Sequence, residues 1–289
     1  MTVCFAAGGV TDIAARLLST PLGESLGQSV VVENRGGAGG NLAIGAVARA
    51  PADGYSLLLC TSAYVVNPSL HPNVPYDPYK DFVPIMTIAA SPNVFVVKGD
   101  SNIKTLSDYV ALAKDNDKVN WTSPGVGSTP YLAGELLKLR TGIKGQHIPF
   151  PGAAPAGQAM LAGTVDMMTA SLGSVMGQIE SGQYRALAQT GPVRWPGLPN
   201  VPTLGELGIK DAETDTFQAV FAPAGTPQDV IDRLVKAMTE VLTRKDIKEK
   251  YLKAGLEVLA EPPAVLKARI AREVPMYKSI IDQGGLKLK

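Results

Sequence analysis

Histidine and cysteine are scarce in this 289-residue chain, with two of each. His71 and His147 have no cysteine, histidine or carboxylate at ligand spacing, so no transition-metal centre is expected. Cys4 and Cys60 are too few for a disulfide framework. Each closes an expected strand, and two readings stay open: a pair of buried thiols, or one bridge between neighbouring strands. Neither sign of charge is in excess, since 27 basic and 26 acidic residues leave a net +1. That balance gives no reason to invoke nucleic acid or an anionic membrane as a partner. No apolar run reaches the roughly 18 residues of a membrane span. A signal peptide is missing too. Met1-Thr2 opens straight into a core-like strand, which reads as a processed or truncated start.

What is present is an ordinary globular balance, 45% hydrophobic and 18% charged residues, with length for one large domain or two medium ones. Short Val/Leu/Ile-rich strands alternate with helices, the pattern of α/β architecture with mostly parallel sheets. Strands are expected at 3–5, 30–33 and 55–60, with helices at 12–26 and 41–50 between them. Ile13, Ala14, Leu17, Leu18 and Leu22 share one face of the first helix, which should pack on the sheet. After a strand at 94–97, the turn Lys98-Gly99-Asp100-Ser101 looks like a boundary, and Thr105 caps a new helix. A second series follows: strands at 119–122, 146–150, 165–169 and 185–190, and helices at 129–140, 153–161 and 172–181. A loop-rich stretch at 191–208 leads to a strand at 217–221. Helices after Pro227, at 246–254 and at 263–282 finish the chain. Loops joining two α/β lobes would line a cleft, a preferred ligand site.

Two glycine loops carry the chemistry. In Phe5-Ala6-Ala7-Gly8-Gly9-Val10-Thr11-Asp12, a strand, a double glycine and a helix start follow one another. The order aims backbone N–H groups at one spot before a helix N-terminus, which suits an anion. Asp12 reads better as a cap or loop brace than as a ligand contact, because a first-turn carboxylate repels an anion. Trp121-Thr122-Ser123-Pro124-Gly125-Val126-Gly127-Ser128-Thr129 repeats the arrangement in the second lobe. One loop per lobe would let a molecule with two anionic ends bridge the cleft; the plainer reading is two ordinary strand-to-helix turns. Thr61-Ser62-Ala63 and Thr169-Ala170-Ser171 place short hydroxyls after further strands, on the side where open α/β sheets bind ligands. Phe5, Tyr131 and Phe217 are candidate pocket walls, although a sheet aromatic is more often core.

Enzyme motifs fail. Gly37-Ala38-Gly39-Gly40-Asn41-Leu42 has leucine where a dinucleotide fingerprint needs its third glycine. The segment from Gly152 to Gly157 has P-loop spacing without the lysine and hydroxyl that hold phosphate and magnesium. There is no GxSxG elbow, and two histidines leave few options for a triad. His147 reads as structural or as a pocket-rim residue. The weaker alternative, an α/β enzyme acting on a carboxylate or phosphate ester, would use Gly8-Gly9 and Ser128 as an oxyanion site with Asp12 as base.

The ordered set of segments resembles the Bug family, extracytoplasmic receptors of tripartite tricarboxylate transporters. It comprises the loop at 5–12, Val32-Glu33-Asn34-Arg35-Gly36-Gly37-Ala38-Gly39-Gly40, Ala52-Asp53-Gly54-Tyr55, Ser123-Pro124-Gly125-Val126-Gly127-Ser128, Arg194-Trp195-Pro196-Gly197-Leu198-Pro199 and Ala222-Pro223-Ala224-Gly225-Thr226-Pro227. The resemblance implies a two-lobed α/β Venus-flytrap fold, with 1–98 plus 217–289 as one lobe and 99–216 as the other. It also implies a periplasmic, monomeric, cofactor-free receptor that closes about strands near Val97 and Phe217 and delivers a small carboxylate to membrane transporter subunits. Phe5, Ala7, Gly8, Gly9, Asp12, Thr61, Ser62, Ala63, Ser123, Gly125, Gly127, Ser128, Thr129, Thr169 and Phe217 are the expected ligand-binding positions. Several residues depart from the usual family pattern. Cys4 replaces a frequent proline, Tyr131 a frequent histidine, Phe217 a common tryptophan, and Phe150-Pro151-Gly152 a frequent Tyr-Lys-Gly. A mouth without that lysine and histidine is less basic and more apolar, which favours an aromatic or longer-chain carboxylate over a compact tricarboxylate.

Overall fold

The computed structural model describes residues 1–210 and 212–288. The chain forms two compact units, Met1–Ala90 with Phe217–Lys289, and Ser91–Thr216. In chain order the first unit opens with β1 (Thr2–Val3), α1 (Val10–Leu26), β2 (Glu33–Asn34), α2 (Asn41–Ala48), β3 (Leu58–Thr61) and α3 (Ala63–Leu70). β4 (Phe82–Lys98) carries the chain into the second unit. There follow α4 (Leu106–Lys114), β5 (Trp121–Ser123), α5 (Thr129–Thr141), β6 (His147–Pro149), α6 (Ala153–Leu161), β7 (Met167–Ser171), α7 (Met176–Glu180) and β8 (Tyr184–Gln189). β9 (Asp215–Pro223) returns it to the first unit, completed by α8 (Gln228–Leu242), α9 (Lys245–Lys253), β10 (Glu257–Glu261) and α10 (Pro263–Gly284). Both passages therefore lie inside strands, the first at Ala90/Ser91 and the second at Thr216/Phe217.

In the first unit β1 lies between β2 and β3, parallel to both. β9 pairs antiparallel with β3, β4 comes next, and β10 pairs antiparallel with β4. α1 forms because Ala14, Ala15, Leu18 and Leu22 recur on one face, and all four have no exposed surface. They pack with Ile231, Leu234, Met238 and Val241 of α8 and with the strand residues Val3, Leu59, Ile88 and Val220. Each buried aliphatic side chain contributes about 1.5–3 kcal/mol. Gly27, at φ 70°, ends α1 in the left-handed cap that only glycine adopts without cost. Tyr251 of α9 donates its hydroxyl to the Ala14 carbonyl at 2.7 Å, pinning that helix to the same face.

The second unit repeats the plan. β5 is parallel to β6 and β7, β7 pairs antiparallel with β4, and β8 pairs with β4 as well. Val94, Val96, Met160, Met168 and Leu172 fill its core, with Trp195 against them. Gly134 of α5 lies directly over the Trp121 ring, where any side chain would overlap the indole.

Both units thus contain the strand order second–first–third, β2-β1-β3 and β6-β5-β7. In each trio the chain leaves the first strand toward the second and leaves the third in the opposite direction. In the first unit the loops after β1 and β3 therefore flank a switch point at the carboxyl ends of those strands, and in the second unit the loops after β5 and β7 flank another. Three of the four hydroxyl and glycine segments expected from sequence fall at those loops, whereas Thr169-Ala170-Ser171 is the end of β7 itself.

The α/β class and the mostly parallel strands are as expected, with several corrections of extent. The first three strands begin or end two to three residues away from 3–5, 30–33 and 55–60, because their edges are set by pairing with β1. The strand expected at 94–97 is the end of a 17-residue strand. The helix expected at 172–181 breaks at Val175 (φ −134°) into a 3-10 turn, Leu172–Ser174, and the short α7. α3 and β10 were not expected at all.

Candidate functional site

In the first unit the exposed residues Ala6, Ala7 and Gly8 form the crest of the loop after β1. Gly9 is the N-cap of α1 and supplies no capping side chain, so the first-turn amides are not covered from that position. The loop is held from below. Asp12 turns its carboxylate back to accept from the Gly8 N–H at 2.9 Å, and Arg16 Nε donates to both Asp12 oxygens at 3.0 Å. Arg16 also donates to Asn34 Oδ1 at 3.3 Å, and Asn34 Nδ2 donates to the Phe5 carbonyl at 3.1 Å. Burial works against the ionised Asp12, but the hydrogen bonds from Arg16 and Gly8 outweigh it and hold the carboxyl below its ordinary range. Asp12 is therefore tied to the scaffold as a brace, and the guanidinium it engages is neutralised.

The loop after β3 is buried. Thr61 Oγ1 accepts from the Ala63 N–H at 3.0 Å, which shapes the start of α3, and Ser62 Oγ accepts from the Phe217 N–H at 3.1 Å. Ala63 has no exposed surface. Phe217 is likewise fully buried, and the Arg269 guanidinium of α10 stands 4.4 Å over its ring. Arg269 is ion-paired with Glu273 at 2.7 Å.

In the second unit Ser128 caps α5. Its Oγ accepts from the Tyr131 N–H at 3.3 Å and donates to the Gly125 carbonyl at 2.7 Å, closing the loop on itself. Gly125 sits at φ 133°, with its missing side-chain position 3.2 Å from the Phe150 carbonyl, so only glycine fits. Gly127 also has positive φ, at 93°. Ser123 Oγ lies 2.8 Å from His147 Nε2 and accepts from the Gly125 N–H at 3.3 Å. Burial pushes His147 down to about 4, so its ring is neutral at ordinary pH. Trp121 and Tyr131 flank that ring at 4.4 and 4.8 Å between centroids.

A chain of hydroxyls lies beneath the same loop. Ser171 Oγ donates to Thr216 Oγ1 at 2.9 Å, and Thr216 Oγ1 donates to Asn93 Oδ1 at 2.8 Å. The Thr129 hydroxyl is also bonded to that of Thr216. Because the single Thr216 proton goes to Asn93, Thr129 is the donor in that pair. Thr169 donates to the Thr122 carbonyl at 3.3 Å, inside the sheet.

The structure thus gathers Phe5, Ala7, Gly8, Gly9, Asp12, Thr61, Ser62 and Ala63 at the first switch point. It gathers Ser123, Gly125, Gly127, Ser128 and Thr129 at the second, while Thr169 lies within β7 and Phe217 within β9. The sequence reading assigns no site role to Asn34, Arg16, Asn93 or Thr216. Of these only Arg16 had a local signal, its i+4 spacing from Asp12. Among the described residues no cluster of three His, Cys, Asp or Glu could hold a metal ion. None of the described helices is long and apolar enough to cross a membrane.

Two α/β units with glycine loops at their switch points are an architecture this chain shares with solved periplasmic binding proteins. The solved periplasmic binding protein BugD superposes with a TM-score of 0.94 at 35% identity, covering all of this chain and 98% of that one. Rpa4515 of R. palustris, solved with adipate, gives 0.94 at 31% over 99% and 97%. MatC of Rhodopseudomonas palustris, solved with bound malate, gives 0.89 at 28% over 97% and 98%. Protein BugT of Bordetella pertussis is 36% identical over 292 residues, all of this chain and 90% of the relative. Residues 14–286 match the tripartite tricarboxylate transporter family receptor, and the chain belongs to that family. The Bug resemblance seen in the sequence is thereby borne out.

Proposed function

We propose that this protein is a periplasmic, monomeric receptor that captures a small carboxylate with the glycine loops of both units and delivers it to the membrane subunits of a tripartite transporter. The observation that carries the reading is the pair of braced glycine loops at two equivalent switch points, in a family whose relatives have been solved with adipate and malate. Of the basic side chains near the first loop, Arg16 is committed to Asp12 and Arg35 to Glu33. The carboxylate is therefore held by backbone N–H groups and hydroxyls, as suits helix N-termini. Behind the second loop stand Trp121, Tyr131 and a neutral His147. That uncharged surround favours an aromatic or longer-chain acid over a compact tricarboxylate.

A hydrolytic reading would start from Ser123 and His147. It is disfavoured because Ser123 has no exposed surface and its oxygen already accepts from Gly125.

The test is a thermal-shift panel of aliphatic and aromatic mono-, di- and tricarboxylates, followed by calorimetry. A ligand that binds only the folded state adds about 2.7 kcal/mol at a hundredfold excess over its Kd, an unmistakable shift. One-to-one binding of an aromatic or six-carbon acid without turnover is the expected result. Tight binding of citrate with no response to any aromatic acid would sink the preference, and a flat panel would sink the receptor reading.

A further inference from the structure

Cys4 and Cys60 lie side by side. β1 and β3 run parallel with Thr2 opposite Leu58 and Val3 opposite Leu59. The Cys4 N–H extends that ladder by donating to the Leu59 carbonyl at 3.2 Å, which sets Cys60 opposite Cys4. Both are free thiols with no exposed surface. Burial raises the Cys60 thiol, and a hydrogen bond with the neighbouring Cys4 raises it further. Gly40, at φ 97°, passes over Cys4, where a side chain would come within 3.3 Å of Cys4 Cβ and 3.6 Å of its Sγ. Adjacent strands are about 4.8 Å apart, within the roughly 4.4–6.8 Å Cα separation that a disulfide spans. Cys4 immediately precedes Phe5, and Cys60 immediately precedes Thr61.

We propose that Cys4 and Cys60 are a disulfide-forming pair, which in an oxidising compartment ties together the roots of the two loops at the first unit's switch point. The compartment rests on the receptor reading above; the chemistry of the pair does not. The oxidant is a small-molecule or protein disulfide. One cysteine thiolate attacks a sulfur of that disulfide, forming a mixed disulfide and expelling one thiol. The second cysteine, once deprotonated, attacks the protein sulfur of the mixed disulfide and expels the other thiol. Two electrons pass to the oxidant, and the two cysteine protons end on the two released thiols. Burial raises the Cys60 thiol and encloses both side chains, so closure happens during folding or on local opening.

The experiment needs no carboxylate, so a failure of the receptor reading leaves its outcome unaffected. Protein made in a reducing cytosol is incubated with oxidised glutathione in mild urea, which populates the opened state. It is then quenched with acid, unfolded and alkylated with N-ethylmaleimide. The expected product takes up no alkyl group, weighs two hydrogens less than the dithiol, and accepts two alkyl groups after reduction. Two alkyl groups without reduction, or two bound glutathiones, would overturn the proposal. Cys4→Ser and Cys60→Ser, each with one cysteine left, should each yield a single glutathione adduct. Hydrogen exchange of the amides at 5–9 and 61–63 should slow by about threefold or more in the oxidised protein. Equal rates in both forms would remove the link between the bond and the loops.

Discussion

Asp12 stands where an anion receptor should least want a carboxylate, and its hydrogen bonds resolve the conflict. Its oxygens are occupied by Gly8 and Arg16, so its charge holds the loop in shape instead of facing the ligand. Asp12→Ala leaves the Gly8 N–H and the guanidinium without their acceptor. It should cost about 1–2 kcal/mol in urea unfolding and weaken carboxylate binding in calorimetry. Asp12→Asn, which keeps an acceptor for Gly8, should fall between; an alanine variant with unchanged affinity would show that the brace does not shape the loop. His147 gives a separate, pH-dependent signature. Its folded value of about 4 lies below the ordinary 6.5. Between those limits the unfolded chain binds a proton that the folded protein refuses, so stability falls as pH drops through that window. The fall attributable to this ring is at most about 3 kcal/mol, less what its partial exposure removes. Denaturation midpoints measured from pH 7 to pH 4 should decline more steeply for the natural protein than for His147→Gln. Parallel curves would mean that the histidine is not held neutral.

At the scale of elements, Thr216 ends the second unit's run of β9 and lies below the second glycine loop. Its hydroxyl joins Thr129, Ser171 and Asn93. Thr216→Val keeps the shape and removes the oxygen, leaving three buried polar groups short of a partner. The expected result is a loss of about 1–3 kcal/mol and faster hydrogen exchange at 128–132, with Thr216→Ser restoring both. A serine variant as poor as the valine one would point to packing rather than to the hydroxyl. Such partnerships also mark how far the sequence could be read. The helices at 129–140 and 153–161, and the loops after β1, β3 and β5, were legible because period, caps and glycines are local signals. Thr129 and Thr216 are 87 positions apart, and Ser123 meets His147 only through the register of β5 with β6. No local pattern encodes either. α3 was hidden by Val65-Val66-Asn67-Pro68, which reads as a strand and a turn, although the proline falls inside an eight-residue helix. β10 was hidden among helices, since its pairing partner in β4 lies about 170 residues upstream.

For the whole molecule, a carboxylate held by both loops should protect both units together. Amides near 6–11 and near 125–131 should slow in hydrogen exchange at the same ligand concentration, with one midpoint. Protection confined to one unit would mean that a single loop holds the ligand. The route of the chain also sets an order of assembly. β9 occupies the place between β3 and β4 in the first unit's sheet, and it is made only after the whole of Ser91–Thr216. A chain emerging from its N-terminus can complete the second unit while β3 still presents an unpaired edge to its surroundings. Until residues 218–221 arrive to pair with Leu58–Thr61, that edge is open to the wrong strand. The molecule is thus most exposed to misassembly late in synthesis, when the second unit can already be complete.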